Sequence, residues 1–250
     1  MIGSRTIKRV SAWAIGWALE PERMKRAKRE RELEEVMGFD GQFRAHRDFE
    51  FALLRRMGLR PSHRVLDVGC GPLTLGVPLI GYLDRGRYTG IDIRSHALSE
   101  AYREVADHAL AGNNPRLVCS ESFGVEELGD ASFDVVTAFS MLYHLDDRLV
   151  RQFFATLPER LGPESLFVAN INDLVESSRW LEFPFMQRDI AFYQALADEH
   201  GLELIELGAG RSIGYAHDDS MATNVFMVVR HRRAEDAGEW SGLRFRHLGA

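Results

Sequence analysis

Cysteine is nearly absent from this chain: two in 250 residues, Cys70 and Cys119, both in segments that read as buried strand or strand end. Two thiols so placed exclude a disulfide framework as the organising device and suit a reducing compartment. No CxxC occurs, and the nine histidines include no pair at the short spacing of a helical metal clamp, so no metal is expected. Positive charge is not in excess either. With 31 Lys and Arg against 37 Asp and Glu, the net charge of −6 gives no global attraction to phosphate polymers, and nucleic acid is not an expected partner. The apolar stretch over 10–19 (VSAWAIGWAL) is too short to span a bilayer. It lacks a clear small-residue cleavage site and runs into a charge-rich segment, so no transmembrane segment and a cytoplasmic location are expected.

What is present is an average globular composition, 45% hydrophobic and 27% charged, at a length suited to one large α/β domain with an extension. A charged helix is expected over 21–37 and a second over 42–57, where Phe49, Leu53 and Met57 recur on one face before Gly58 and Pro61 stop it. Trp13 and Trp17 lie one helical turn apart. They serve either as packing against a core, as a lid, or as a membrane-surface contact.

From residue 63 strands and helices alternate. Strands are expected over 63–68, 88–93, 116–119, 133–139 and 165–171, with helices over 75–83, 95–111 and 147–161 between them. Asp146 is placed to cap the helix over 147–161. A helix over 188–200 then precedes two strands, 202–206 and 224–230, close enough to pair antiparallel. The pattern predicts an α/β, Rossmann-like fold: a seven-stranded, mostly parallel sheet with a C-terminal antiparallel hairpin and helices on both faces. The organisation expected is an N-terminal helical extension or lid over 1–57, a core over 58–231 and a polar tail over 232–250.

In such a sheet a ligand binds beyond the carboxyl ends of the strands, where strand order reverses. Asp67-Val68-Gly69-Cys70-Gly71-Pro72 leaves the first strand there, with two glycines that let a ligand approach the backbone and a helix N-terminus to follow. Alone, a GxG is weak evidence, since a tight turn with no ligand is also open to it. Asp92, at the end of the second strand, adds an acid at the spacing suited to ribose hydroxyls. Thr74 stands where a dinucleotide GxGxxG would need its third glycine, which argues against a nicotinamide oxidoreductase.

VLDVGCGP, then GIDI, then FDVV followed by LYHL, resemble the class I SAM-dependent methyltransferase superfamily (SAM, S-adenosylmethionine) over residues 60–230, and the bacterial small-molecule members in particular. The superfamily's usual loop has glycine where this chain has Leu73, which predicts a stiffer loop. The resemblance implies SAM as cofactor and S-adenosylhomocysteine (SAH) as product. It implies that Gly69, Cys70 and Gly71 flank the methionine part, Asp67 fixes the loop and the amino group, and Asp92 holds the ribose hydroxyls. Ile93 would lie on the adenine face, with Glu121, Ser122 and Phe123 at its edge or simply in a surface turn, and Phe139 nearby.

Methyl transfer to a small-molecule acceptor, with oxygen slightly preferred over nitrogen or carbon, is the implied function; a nicotinamide oxidoreductase and a non-catalytic SAM-binding protein are the alternatives. His144 and Tyr143 are the candidate catalytic residues, since an imidazole suits a base near neutrality, although His144 equally suits a role in placing the next helix. Ser140, Met141, Asn170, Asn172, Tyr215 and His217 all fall at the same sheet edge and are the candidate acceptor contacts. Arg44, His46 and Arg47 either reach the SAM carboxylate or form a solvated helix face, and 182–185 forms either an apolar lid or core. A monomer or a homodimer fits equally.

Overall fold

The structure is a computed structural model that describes residues 43–180 and 183–232, with residues 28, 29, 31 and 32. The Trp13 and Trp17 segment, most of the span 21–37 and the tail beyond 232 therefore lie outside the described residues. Two compact units divide the chain, Met1–Ala45 and His46–Ala250. In the first, residues 28, 29, 31 and 32 are helical. Among the described residues no helix is long and apolar enough to cross a membrane.

The second unit takes in α1 (Phe43–Arg56) from His46 onward and then β1 (Val65–Val68), α2 (Gly76–Tyr82), β2 (Tyr88–Asp92), α3 (Ser95–Asp107) and β3 (Arg116–Cys119). It continues through α4 (Val125–Leu128), β4 (Phe133–Ala138), α5 (Asp147–Arg160), β5 (Leu161–Ile171), β6 (Ser178–Trp180), β7 (Phe183–Phe185), α6 (Ile190–Glu199), β8 (Leu202–Ala209), α7 (Ser220–Thr223) and β9 (Val225–His231). Seven strands form one sheet in the order β3-β2-β1-β4-β5-β9-β8. β1 to β5 pair in parallel and β9 runs antiparallel between β5 and β8, so the predicted seven-stranded architecture is the observed one.

The two sheet faces differ in chemistry. Leu66, Val136, Ala138, Phe167, Ala169, Met227 and Val229 face one side and join Phe153, Phe154 and Leu157 of α5 and Tyr193 and Leu196 of α6 in one apolar cluster. Alternation along a strand puts their neighbours on the other side. There Asp67 pairs in register with Thr137, Thr137 with Val168, and Asn170 with Phe226, so a polar seam crosses three strands at their carboxyl ends. Phe49 of α1 meets the Phe226 ring on this face at 5.4 Å.

Three features depart from expectation. β5 begins at Leu161, directly after α5 and not at 165: Leu161 pairs with Phe133 ahead of a register shift beside β4, and Gly162 N–H donates to Ser165 Oγ (3.0 Å) within the irregular stretch. α3 stops at Asp107, and a 3-10 turn, Ala111–Asn113, ends on Asn114 in the left-handed conformation. β6 and β7 form a separate two-stranded hairpin absent from the sequence reading, since three-residue strands, one of them Phe-Pro-Phe, carry too little periodicity to register.

Candidate functional site

Strand order reverses between β1 and β4, and the loop leaving β1 lies there. It folds back over β2: the N–H groups of Gly69 and Cys70 both donate to Ile91 O, at 2.8 and 3.0 Å. Gly69 and Gly71 adopt φ of 74° and 51°, a conformation glycine reaches without strain. Met141 closes over this turn so tightly that a Cβ on Gly69 would lie 2.6 Å from its Cγ. Leu73 also takes a left-handed φ of 66°, with its side chain 1% exposed. That side chain roots the loop in the core. Gly76 makes room for it, since a Cβ there would sit 2.5 Å from Leu73 Cδ2 and 2.6 Å from the Tyr88 hydroxyl. α2 spans only Gly76–Tyr82, so the helix N-terminus expected beside the glycines begins five positions beyond Gly71.

The two acids divide the work differently from the expectation. Asp67 accepts from Tyr88 Oη (2.8 Å) and Thr137 Oγ1 (3.0 Å), which ties it to β2 and β4 rather than to the loop. Burial, only partly offset by those bonds, raises its pKa to about 6. The loop is held by Asp92: Oδ2 accepts from Gly71 N–H (2.9 Å), while Oδ1 accepts from Arg94 N–H (2.8 Å) and, more weakly, Arg94 Nε (3.4 Å). Ile93 stands beside it 52% exposed. The turn after β3 abuts this corner through Ser120 N–H, which donates to Asp92 O (3.1 Å). Ser120 Oγ organises that turn by accepting from the N–H groups of Ser122 and Gly124; Glu121 is exposed, and Phe123 packs its ring on Phe153 at 5.3 Å. Burial pushes the Cys70 thiol well above its usual range, so it stays protonated.

Beyond β4, Ser140 N–H donates to Asn170 Oδ1 (2.6 Å), with Ser140 at a φ of 52°. The buried Tyr143 hydroxyl bonds the side chains of Ser140 and Asn224, and burial raises its pKa. Phe139 meets the same Phe226 ring at 6.0 Å. Ser140, Met141, Tyr143, Asn170 and Phe139 are thus one cluster. Tyr215 joins it through Phe49 (5.2 Å), and its hydroxyl donates to Asp219 Oδ2 (2.5 Å). His46 Nε2 meets the same oxygen at 3.1 Å. Burial lowers the His46 pKa, while the Asp219 carboxylate, which burial alone would raise, is held below its usual range by Tyr215 and His46. His46 is therefore not on a solvated face. His217 is exposed, its ring 5.5 Å from Tyr215.

Asn172 is not part of that cluster. Its Nδ2 donates to Val175 O (2.7 Å) and Met186 O (3.4 Å) and its Oδ1 accepts from Val175 N–H (2.9 Å), which spends the amide on its own loop. His144 lies under the hairpin, between the Phe183 and Phe185 rings (6.4 and 5.6 Å), and its Nδ1 bonds Pro184 O (2.9 Å). That bond makes Nδ1 the donor and leaves Nε2 with the lone pair. Burial, reinforced by Arg94, lowers its pKa and keeps the imidazole neutral. Residues 183–185 are half-buried against His144 and Tyr143.

Sequence reasoning missed three residues. Glu50, 4% exposed, sits on the α1 face of Leu53, Leu54 and Met57, a signal visible as an acid at helical spacing on an apolar stripe. Asn224 carried no periodic signal. Arg188, 7% exposed, pairs with Asp147 (2.7 Å) and donates to the carbonyls of Leu145 (2.8 Å) and Leu142 (3.5 Å), pinning the Tyr143-His144 turn.

A family model for a methyltransferase domain matches residues 66–167, from β1 into β5. Residues 66–167 are thus similar to a methyltransferase domain over less than half of the chain. A curated protein of Geobacillus sp. (strain WCH70) named as a methyltransferase is 32% identical over 123 residues, 48% of this chain and 46% of that one. One from Aspergillus luteorubrus is 31% identical over 81 residues, 31% of this chain and 28% of its own. The chain thus spans less than half the length of the curated relatives it matches. Among solved structures, a SAM-dependent methyltransferase from Clostridium acetobutylicum ATCC 824 shares the fold at a TM-score of 0.60 and 14% identity, over 82% of this chain and 98% of that one. Magnesium protoporphyrin IX methyltransferase from Synechocystis PCC 6803, with bound SAM, gives 0.56 and 16% over 76% and 79%. This chain shares the fold of those two structures.

Proposed function

We propose that this protein transfers a methyl group from SAM to a small-molecule acceptor in the cytoplasm, with oxygen as the favoured nucleophile. The observation that carries the reading is the glycine loop bonded to Asp92 at the point where strand order reverses. The residues fit the cofactor. Ile93 offers an exposed apolar face for adenine beside an acid suited to ribose. A carboxylate has about four lone-pair sites, and Asp92 already accepts three contacts. Two ribose hydroxyls therefore require the weakest, Arg94 Nε at 3.4 Å, to give way.

SAM supplies an electrophilic methyl on a sulfonium, so the chain's task is to bind, orient and exclude water. Gly69, Cys70 and Gly71 form the backbone wall, with Asp67 beneath it. Phe139, Glu121, Ser122 and Phe123 border the cofactor side, and Ser140, Met141, Asn170, Tyr215 and His217 border the acceptor. Asn172 supports the acceptor side through its loop. His144 Nε2 is the atom suited to take a hydroxyl proton, and Tyr143 orients the turn that carries it. A nicotinamide cofactor is not favoured, because Thr74 replaces the glycine its loop would need.

Calorimetric titration with SAM, SAH and NADH tests this, with Asp92→Ala in parallel. Micromolar binding of SAM and SAH, lost in the variant and absent for NADH, is expected. Failure of both SAM-type ligands to bind the wild-type protein would overturn the reading.

A further inference from the structure

Asp92 makes one contact more than its role at the cofactor allows. Its Oδ2 accepts from Gly71 N–H and its Oδ1 from Arg94 N–H, at 2.9 and 2.8 Å, and both bonds shape the backbone around the site. The contact from Arg94 Nε to Oδ1 is longer, at 3.4 Å, and holds only a side chain. A carboxylate offers about four lone-pair sites, so two ribose hydroxyls and the two backbone bonds fill it. The guanidinium is the group that must leave.

Where it goes is set by what already lies beside it. Arg94 Cζ is 5.8 Å from the centroid of the Phe183 ring, at the outer limit of a cation–π contact, and the Arg94 side chain is 23% exposed, which leaves it room to turn. Phe183 belongs to β7. The next residue, Pro184, accepts through its carbonyl from His144 Nδ1 (2.9 Å), and Met186 N–H donates to Tyr143 O (2.8 Å). The hairpin thus carries the partner that fixes the His144 tautomer, and Arg94 touches both that hairpin and the ribose acid. Once the guanidinium leaves Asp92 it no longer shares its charge with a carboxylate, and its attraction to the ring face strengthens.

We propose that Arg94 is a positioning residue that passes from Asp92 to Phe183 when the cofactor ribose binds, seating the β6–β7 hairpin more firmly on His144 in the loaded protein. The proposal rests on the methyl-transfer reading, and it makes order on the acceptor side a consequence of cofactor binding.

The test is hydrogen–deuterium exchange of wild type, Arg94→Met and Phe183→Leu, each with and without SAH at a concentration that calorimetry shows to saturate. In wild type, SAH should slow exchange over residues 183–187 about two- to fivefold, the population shift expected of one part-exposed cation–π contact. Both variants should bind SAH at least as tightly as wild type, since neither loses a bond to the ribose, yet show no slowing. That binding also shows that the variants are folded. Retained slowing in the variants means that SAH reaches the hairpin by another route and overturns the proposal, as does the absence of slowing in wild type saturated with SAH. A loss of SAH affinity in Arg94→Met makes Arg94 a direct cofactor contact and overturns it as well. If wild type binds no SAH, the methyl-transfer reading itself has failed, which is a distinct outcome.

Discussion

Leu73 offers a quantitative test of how the β1 loop is held. Its left-handed φ of 66° costs about 1 kcal/mol or somewhat more for a residue with a Cβ. Its side chain, 1% exposed, recovers more than that, since truncating a buried leucine to alanine costs about 3 kcal/mol within a broad range. Leu73→Ala keeps the strained backbone and loses the burial, so a loss of about 3 kcal/mol is expected. Leu73→Gly loses the same burial and frees the unfolded chain, yet relieves the strain. The two terms nearly cancel, and glycine should be at least as stable as alanine, against the ordinary penalty of roughly 0.5–1 kcal/mol. Urea unfolding with a constant m-value reads the difference as a shift in midpoint. Glycine falling below alanine by that ordinary penalty would show that position 73 carries no strain. A Leu73→Gly protein as stable as wild type would show that burial does not hold the loop.

Arg188→Ala should cost about 3 kcal/mol, because it strips donors from the carbonyls of Leu142 and Leu145, whereas the ion pair to the largely exposed Asp147 contributes little. A thermal shift corresponding to less than about 1 kcal/mol would mean the Tyr143-His144 turn is fixed by something else. Asp67 has a folded pKa of about 6, above its ordinary 3.8, so the protonated form is the one folding favours. Its destabilising effect is absent at pH 4, develops between pH 4 and 6 and is complete above, up to about 3 kcal/mol. Asp67→Asn should therefore melt higher than wild type at pH 8 and alike at pH 4. Equal melting at both pH values would contradict the assigned shift. Glu50, Asp92, Tyr88 and Thr137 surround Asp67, so Glu50→Gln is the control for the neighbouring carboxyl.

The sheet was legible because most strands carry a short apolar run, densest in Phe133–Ala138 and Val225–His231, bounded by turn residues. Asp67, Gly69, Gly71 and Asp92 were legible in position because they sit at strand ends, but not in partners: Asp67 is tied to β2 and β4, and Asp92 holds the loop. Glu50 was hidden by its helix: the stripe of Phe49, Leu53 and Met57 accounts for burial without it, and only the packed structure shows the acid on the inner side. His144 was found by type, but its Nδ1 partner, Pro184, comes from a hairpin with no periodic signal. Asn170 and Asn172 show the limit of placing residues by strand end. One amide holds the Ser140 backbone, while the other is consumed by its own loop.

The segment carrying that hairpin is closed at its base, where Arg188 N–H donates to Asn172 O at 3.0 Å. It is held to the sheet edge by Met186 N–H, which donates to Tyr143 O (2.8 Å), and by Pro184 O on His144, so a change within residues 173–187 is felt first by the Tyr143-His144 turn.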